Sequence, residues 1–319
     1  MKVLYISPYL GFSGYSTAAR GYVRALHKQG VDLVLRSVKY DDGQEHKLEQ
    51  WERELFCKAS EGVDIIIQHL TANELAVQPD GQRNAKHVAM IATETDLISQ
   101  EWTQSLNRMD AVITFCQMSA DAIKKAGVTA PIHVVPHTFD MNVYKEKSEP
   151  FNTERGVPLS GSSKPCIFYN ISQISNKKGI DKLIRAYYGA FRKKEPVTLL
   201  LKGYIGQMKR VNEEQYGKGI VSTIWGGPKE FLSEDEIYLV QHSVEPVFGM
   251  KHPHPYMFTS EENWAEPSVT SMIKAMRCAY QDYEENKLRS ITNIERFDDN
   301  IVGPILTKIL VEVSNDGGK

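Results

Sequence analysis

The chain has 319 residues, 41% of them hydrophobic and 24% charged, with a formal net charge of −2. At roughly 150 residues per domain that length predicts two domains with sizeable cores. Near-neutrality argues against a bulk polyelectrolyte partner such as duplex nucleic acid, and no run approaches the roughly 20 apolar residues that span a bilayer. The opening Met1-Lys2-Val3-Leu4-Tyr5-Ile6-Ser7 is too short an apolar run for a signal peptide and reads as a first strand. Further β-rich runs lie at 31–35, 63–68, 88–92, 111–115 and 132–135. Helical periodicity separates them: Ala19, Tyr22, Val23 and Leu26 recur at i, i+3, i+4 and i+7. Strands alternating with helices predict an α/β protein with a parallel sheet covered on both faces.

Residues 145–164 hold proline, glycine and serine with little periodicity, and they read as a linker. A second α/β series follows. It has strands at 166–170 and 197–202, and a helix at 179–193 with Ile180, Leu183, Ile184 and Tyr187 on one face. Short strand candidates lie at 219–222 and 237–240. Val269, Met272, Ile273 and Met276 mark a helix, and 300–313 is the last one. Cys57, Cys116, Cys166 and Cys278 are widely separated, which disfavours a disulfide framework or structural zinc and makes a reducing cytoplasm the expected location. His252 and His254 lack carboxylate or cysteine ligands at a metal-binding spacing, so no metal is predicted.

Four features carry candidate chemistry. The first βα junction, Ser7-Pro8-Tyr9-Leu10-Gly11-Phe12-Ser13-Gly14-Tyr15-Ser16, puts glycines before a helix N-terminus, where an anion can approach the backbone. A tight turn without ligand is the plainer reading. Asn176-Lys177-Lys178-Gly179 opens a helix with two cations, against the dipole preference, which makes sense if a doubly charged anion binds there. Lys202 ends the next strand and could share that crevice. The plainer reading is a solvated basic face. Glu94 and Asp96 follow a strand end, where they could hydrogen-bond sugar hydroxyls or act as a base. Helix capping by Thr93, Thr95 or Asp96 is the alternative. His137 follows another strand end in Pro136-His137-Thr138-Phe139-Asp140, a position more often structural than catalytic.

Taken together, the Gly-rich loop, Glu94-Thr95-Asp96 followed by Trp102, Pro136-His137 with Asp140, and Lys177-Lys178-Gly179 resemble the GT4-type glycosyltransferases of the GT-B fold. Gly217 to Phe231 is similar to that family's segment running from G-K-P-V-I to G-G-x-x-E-F, and Trp264-Ala265-Glu266-Pro267 resembles a bacterial and phage branch. The resemblance implies two Rossmann-like domains facing a cleft: an acceptor-side domain at 1–148, a nucleotide-sugar domain at 149–298, and a helix at 299–319 packing back on the first. It implies retaining transfer of a sugar from a nucleotide-diphosphate donor, which is a substrate, with no cofactor. The acceptor stays open between a glycan, a protein and a modified nucleobase, and the oligomeric state stays open too. Gly14, Lys177, Lys178 and Lys202 would hold the donor, and Glu94, Asp96 and His137 would face the sugar and acceptor. Fixed cations would stabilise the departing diphosphate.

One departure stands against this. The family's E-x7-E positions fall on Tyr204 and Asn212, with Glu213 and Glu214 displaced from the second. Only residues 203–216 separate the strand ending at Lys202 from Gly217, too few for a further βα unit. An internal deletion and a reduced second domain are therefore expected, with 203–216 as an exposed connection. A degenerate, non-catalytic protein that binds a nucleotide, glycan or protein is the competing reading. A third takes Glu94-Thr95-Asp96 as a GT-A metal motif, which the second half with Lys177-Lys178-Gly179 disfavours.

Overall fold

The computed structural model describes residues 1–40, 45–76, 85–142, 166–173, 178–204, 219–247, 258–292 and 294–316. They fall into two units. Unit 1 comprises Met1–Met141, Pro246–Trp264 and Ile294–Lys319, and unit 2 comprises Asn142–Glu245 and Ala265–Asn293. The linker expected at 145–164 lies outside the described residues, as do 205–216 of the predicted connection.

In unit 1 the elements run β1 (Lys2–Ser7), α1 (Gly14–Lys28), β2 (Asp32–Ser37), α2 (Gln50–Cys57), β3 (Ile65–Gln68), β4 (Lys86–Met90), α3 (Gln100–Leu106), β5 (Ala111–Thr114), α4 (Gln117–Lys125) and β6 (Ile132–Val134). The six strands form one sheet in the order β2-β1-β3-β4-β5-β6. Every pair in it is parallel. Ile65, Ile66 and Ile67 are fully buried, as a strand covered on both faces requires. Alternation divides them: Ile65 and Ile67 join Val3, Tyr5, Tyr22 and Leu26 in one core, while Ile66 packs with Leu4 and Val34 on the other face.

The fourth strand begins two residues earlier than the apolar run at 88–92. Polar Lys86 and His87 still pair with Ile65 and Ile66, so the ladder, rather than side-chain character, sets its start. The helix α2, absent from the sequence reading, is nucleated by a capping box in which Glu49 and Glu52 each accept from the other's backbone N–H.

The last helix, α8 (Asp299–Asn315), belongs to unit 1 (α5 to α7 lie in unit 2). Val302, Leu306, Leu310 and Val313 enter the same core as α1. Gly303 permits close approach, since a Cβ there would lie 2.9 Å from the Ala25 carbonyl oxygen. Buried Asp299 accepts from Arg24 Nε at 2.5 Å, Lys28 Nζ at 3.0 Å and Thr138 Oγ1 at 2.9 Å.

In unit 2, β7 (Cys166–Gln173), α5 (Ile180–Ala190) and β8 (Val197–Tyr204) form a parallel βαβ unit. Two-residue strands β9 (Val221–Ser222) and β10 (Tyr238–Leu239) pair in parallel around the short α6 (Pro228–Phe231). The helix α7 (Val269–Glu284) packs on α5, with Ala186, Ala190, Phe191 and Met276 at the contact. Strands β11 (His242–Pro246) and β12 (Asn263–Pro267) pair where the chain leaves unit 2 for the 246–264 excursion and returns. Among the described residues no helix is long and apolar enough to cross a membrane.

Candidate functional site

The strand order of unit 1 reverses at β1. The chain leaves it for β2 on one side and comes back to β3 on the other. In an open parallel sheet the loops at the carboxyl ends of two such strands diverge and leave a crevice, the usual ligand position of this architecture. The loops in question are 8–13 after β1 and His69-Leu70-Thr71 after β3.

The β1 loop is tightly held. Gly11 N donates to Pro8 O at 3.0 Å, and Arg20 Nη1 donates to the carbonyls of Tyr9 and Gly11, each at 2.8 Å. Ser13 caps α1 by accepting from Ser16 N at 3.1 Å, and the first turn carries no acidic residue. Gly14 is exposed, and a Cβ placed on it would meet nothing within 4 Å. Packing therefore does not demand glycine there, whereas a ligand approaching the backbone would.

At the end of β3 sits His69, which sequence reasoning missed. It is 3% exposed and lies 2.9 Å, through Nδ1, from the Tyr5 hydroxyl. The rings of Tyr5, Tyr15 and Tyr22 surround it at centroid distances of 6.1, 5.2 and 5.8 Å. Burial, helped by the nearby His137, pushes its pKa down to about 3, so the ring is neutral at physiological pH. Tyr22 links it to a residue the sequence did single out. Its hydroxyl donates to Val135 O at 2.9 Å and lies 3.2 Å from His137 Nδ1. His137 in turn stacks on Phe115, with centroids 4.7 Å apart and planes 8° apart. Burial of the imidazole lowers the His137 pKa to about 4. The available signal for His69 was its place immediately after the predicted strand at 63–68.

Glu94 and Asp96 occupy one loop but have different surroundings. Glu94 is exposed, between buried Thr93 and Thr95, whose hydroxyls lie 3.0 Å apart. Ser119 Oγ holds the loop by accepting from Thr93 N at 3.2 Å and from Thr114 Oγ1 at 2.7 Å. Asp96 accepts from Asn263 N at 2.8 Å and from Lys125 Nζ at 3.2 Å, while its own N–H donates to Asn263 O at 3.1 Å. Its pKa is lowered: partial burial acts to raise it, but the hydrogen bonds from Asn263 and Lys125 prevail. The cap of α3 is Ser99, which accepts from Trp102 N, not Thr93, Thr95 or Asp96.

In unit 2, Lys178 is exposed and directly precedes Gly179, the left-handed residue (φ 59°) that caps α5. Lys182 in the next turn is neutralised by an ion pair with Glu266. Lys202 pairs with Ile171 in the β7–β8 ladder. The side chain of Lys202 and the whole of Lys177 lie outside the described residues, as do Glu213, Glu214, His252 and His254. Among the described residues no three His, Cys, Asp or Glu side chains are grouped to hold a metal ion.

No protein-family model matches the chain, and no curated protein matches it by sequence. Solved structures do match. The Anabaena protein Alr3699/HepE in complex with UDP and glucose is 14% identical with a TM-score of 0.60, covering 98% of this chain and 100% of that one. The same protein in complex with UDP-glucose gives 14% identity and a TM-score of 0.57 at the same coverage. The two chains thus share a fold over nearly their whole lengths.

Proposed function

We propose that the chain is a glycosyltransferase of the GT-B type that uses a nucleotide-diphosphate sugar, with UDP as the first nucleotide to test. The observation that carries this reading is the whole-length fold likeness to a protein solved with UDP and with UDP-glucose. The motif order in this sequence supports it independently. Glycosyl transfer develops negative charge on the departing diphosphate, and an exposed Lys178 before α5, joined by Lys177 and Lys202, supplies cations suited to it. Gly14, open to solvent before a helix N-terminus without acids, suits close backbone approach to the same donor. Glu94 and His137, at strand ends in unit 1, are the residues we assign to the sugar and acceptor. Asp96 is committed to Asn263 and Lys125, and we assign it to holding their loop. Retention of configuration is part of the proposal on family resemblance alone.

A second reading, binding without transfer, is favoured by Tyr204 and Asn212 at the positions where the resembled family has glutamates. One experiment separates the two. Purified protein is titrated calorimetrically with UDP, GDP and ADP, and hydrolysis of the corresponding nucleotide sugars is followed. Binding with hydrolysis supports the transferase, binding without hydrolysis supports a degenerate nucleotide binder, and no binding of any nucleotide overturns the transferase and points to a degenerate protein that has lost its donor pocket.

A further inference from the structure

The loop at 8–13 is fixed by more than its own turn. Buried Tyr9, 1% exposed, donates its hydroxyl to Glu52 Oε1 at 2.6 Å. Glu52 is 3% exposed, and its second oxygen accepts from Glu49 N at 2.7 Å and lies 3.3 Å from His46 Nε2. His46 returns to the loop, because its backbone N–H donates to Leu10 O at 2.7 Å. Its ring and that of Phe56 meet the Tyr9 ring edge-on at 6.4 and 5.7 Å. Leu10 N is taken by Ser37 Oγ at 3.2 Å. A single carboxylate thus gathers three segments: the β1 loop through Tyr9, the 45–49 stretch through His46, and the start of α2. A buried carboxylate is retained only where its oxygens are satisfied, and here the known donors include two that lead into the loop.

We propose that Glu52 is a positioning residue that sets the β1–α1 loop in the conformation which presents Gly14 and the α1 N-terminus to a nucleotide-sugar donor. This rests on the proposed function, although Glu52 itself reaches only Tyr9, His46 and Glu49 and acts through the loop. Holding the loop beforehand removes the ordering cost that binding would otherwise carry. Glutamine at this position keeps the shape and one of the two acceptor oxygens, so it preserves much of the arrangement: the amide oxygen accepts from Glu49 N, and the Tyr9 contact survives with its direction reversed, the amide nitrogen donating to the phenol oxygen.

The test compares Glu52→Ala, Glu52→Gln and Tyr9→Phe with wild type by hydrogen exchange of the amides at 9–16 and by calorimetric titration of UDP. Glu52→Ala should speed exchange in that loop at least tenfold, leave β3 protected, and weaken UDP binding about tenfold. Glu52→Gln should restore both to within about threefold. Tyr9→Phe should shift both in the direction of the alanine variant by a smaller factor, and it stands in if Glu52→Ala does not fold. Unchanged loop exchange in the folded variants overturns the proposal, and so does a glutamine variant as impaired as alanine. If wild type binds no UDP, GDP or ADP, the transferase reading fails. The exchange arm still decides whether Glu52 sets the loop.

Discussion

At the scale of single residues, two side chains give sharp expectations. Lys178 is exposed and stands at the positive end of α5, where a cation is unfavourable by a few tenths to about 1 kcal/mol without a ligand. Lys178→Ala should therefore weaken UDP binding at least tenfold, about 1.4 kcal/mol, and leave the ligand-free melting temperature unchanged or slightly higher. Equal affinities in the two proteins would reduce the lysines to a solvated face. His69 bears on stability. Its folded-state pKa of about 3 lies below the roughly 6.5 of an unfolded chain, so the unfolded state binds the extra proton. The stability from a neutral His69 is complete above about pH 6.5 and is lost as pH falls toward about 3. Between pH 7 and 4.5 wild type should lose about 2 kcal/mol more than His69→Gln, read from urea midpoints at both pH values. Parallel pH dependences in the two proteins would count against a buried neutral ring. His69 was hard to find in the sequence because its environment comes from Tyr5, Tyr15 and Tyr22, two of them on a different element from the third. His137 was visible as the His of a strand-end motif, but its tie to His69 through Tyr22 was not.

At the scale of elements, α1 supports a paired prediction from one substitution type. Gly21→Ala places a Cβ 2.4 Å from the Thr138 carbonyl oxygen, a backbone atom with little room to retreat. The intrinsic helical gain of alanine is at most about 1 kcal/mol, and overpacking costs typically 1–3 kcal/mol, so the variant should be less stable by about 1–2 kcal/mol. Gly14→Ala meets open space, so it should keep its stability and lose UDP affinity. Thermal melts and calorimetry on both variants check the contrast. Long amphipathic elements were the legible ones: α1 and α5 each carry their apolar residues on one stripe, and β1 to β3 each hold a short apolar run. The helix α2 was overlooked because Gln50-Trp51-Glu52-Arg53-Glu54 reads as polar until Glu49 and Glu52 are seen to cap each other. Strand β12 was hidden for a related reason. Its order comes from partners distant in sequence, such as Asp96, 167 residues from Asn263.

For the whole molecule, alternating strands and helices foretold the parallel sheet, but not that Pro246–Trp264 joins unit 1. Hydrophobic pattern records that α8 needs a partner and does not record which one. Since α8 contributes Val302, Leu306, Leu310 and Val313 to the core of α1, a protein ending before Ile294 should lack a cooperative unfolding transition and near-ultraviolet dichroism. A cooperative melt in that truncation would show that the sheet closes without its last helix. Intact protein with UDP at a hundred times its dissociation constant should gain about 2.7 kcal/mol, visible as an upward shift in a calorimetric scan. The late arrival of α8 also sets a clock on synthesis. Ribosomes complete the six strands and α1 first, and then all of unit 2 must be translated before α8 emerges. At about 5–20 residues per second that interval is on the order of ten seconds or longer. Throughout it the nascent chain carries an uncovered apolar flank on α1 and an Arg24 still without its Asp299 carboxylate, a natural resting place for a holding chaperone. Slow codons upstream of Ile294 would lengthen the exposure and lower the yield of folded chain.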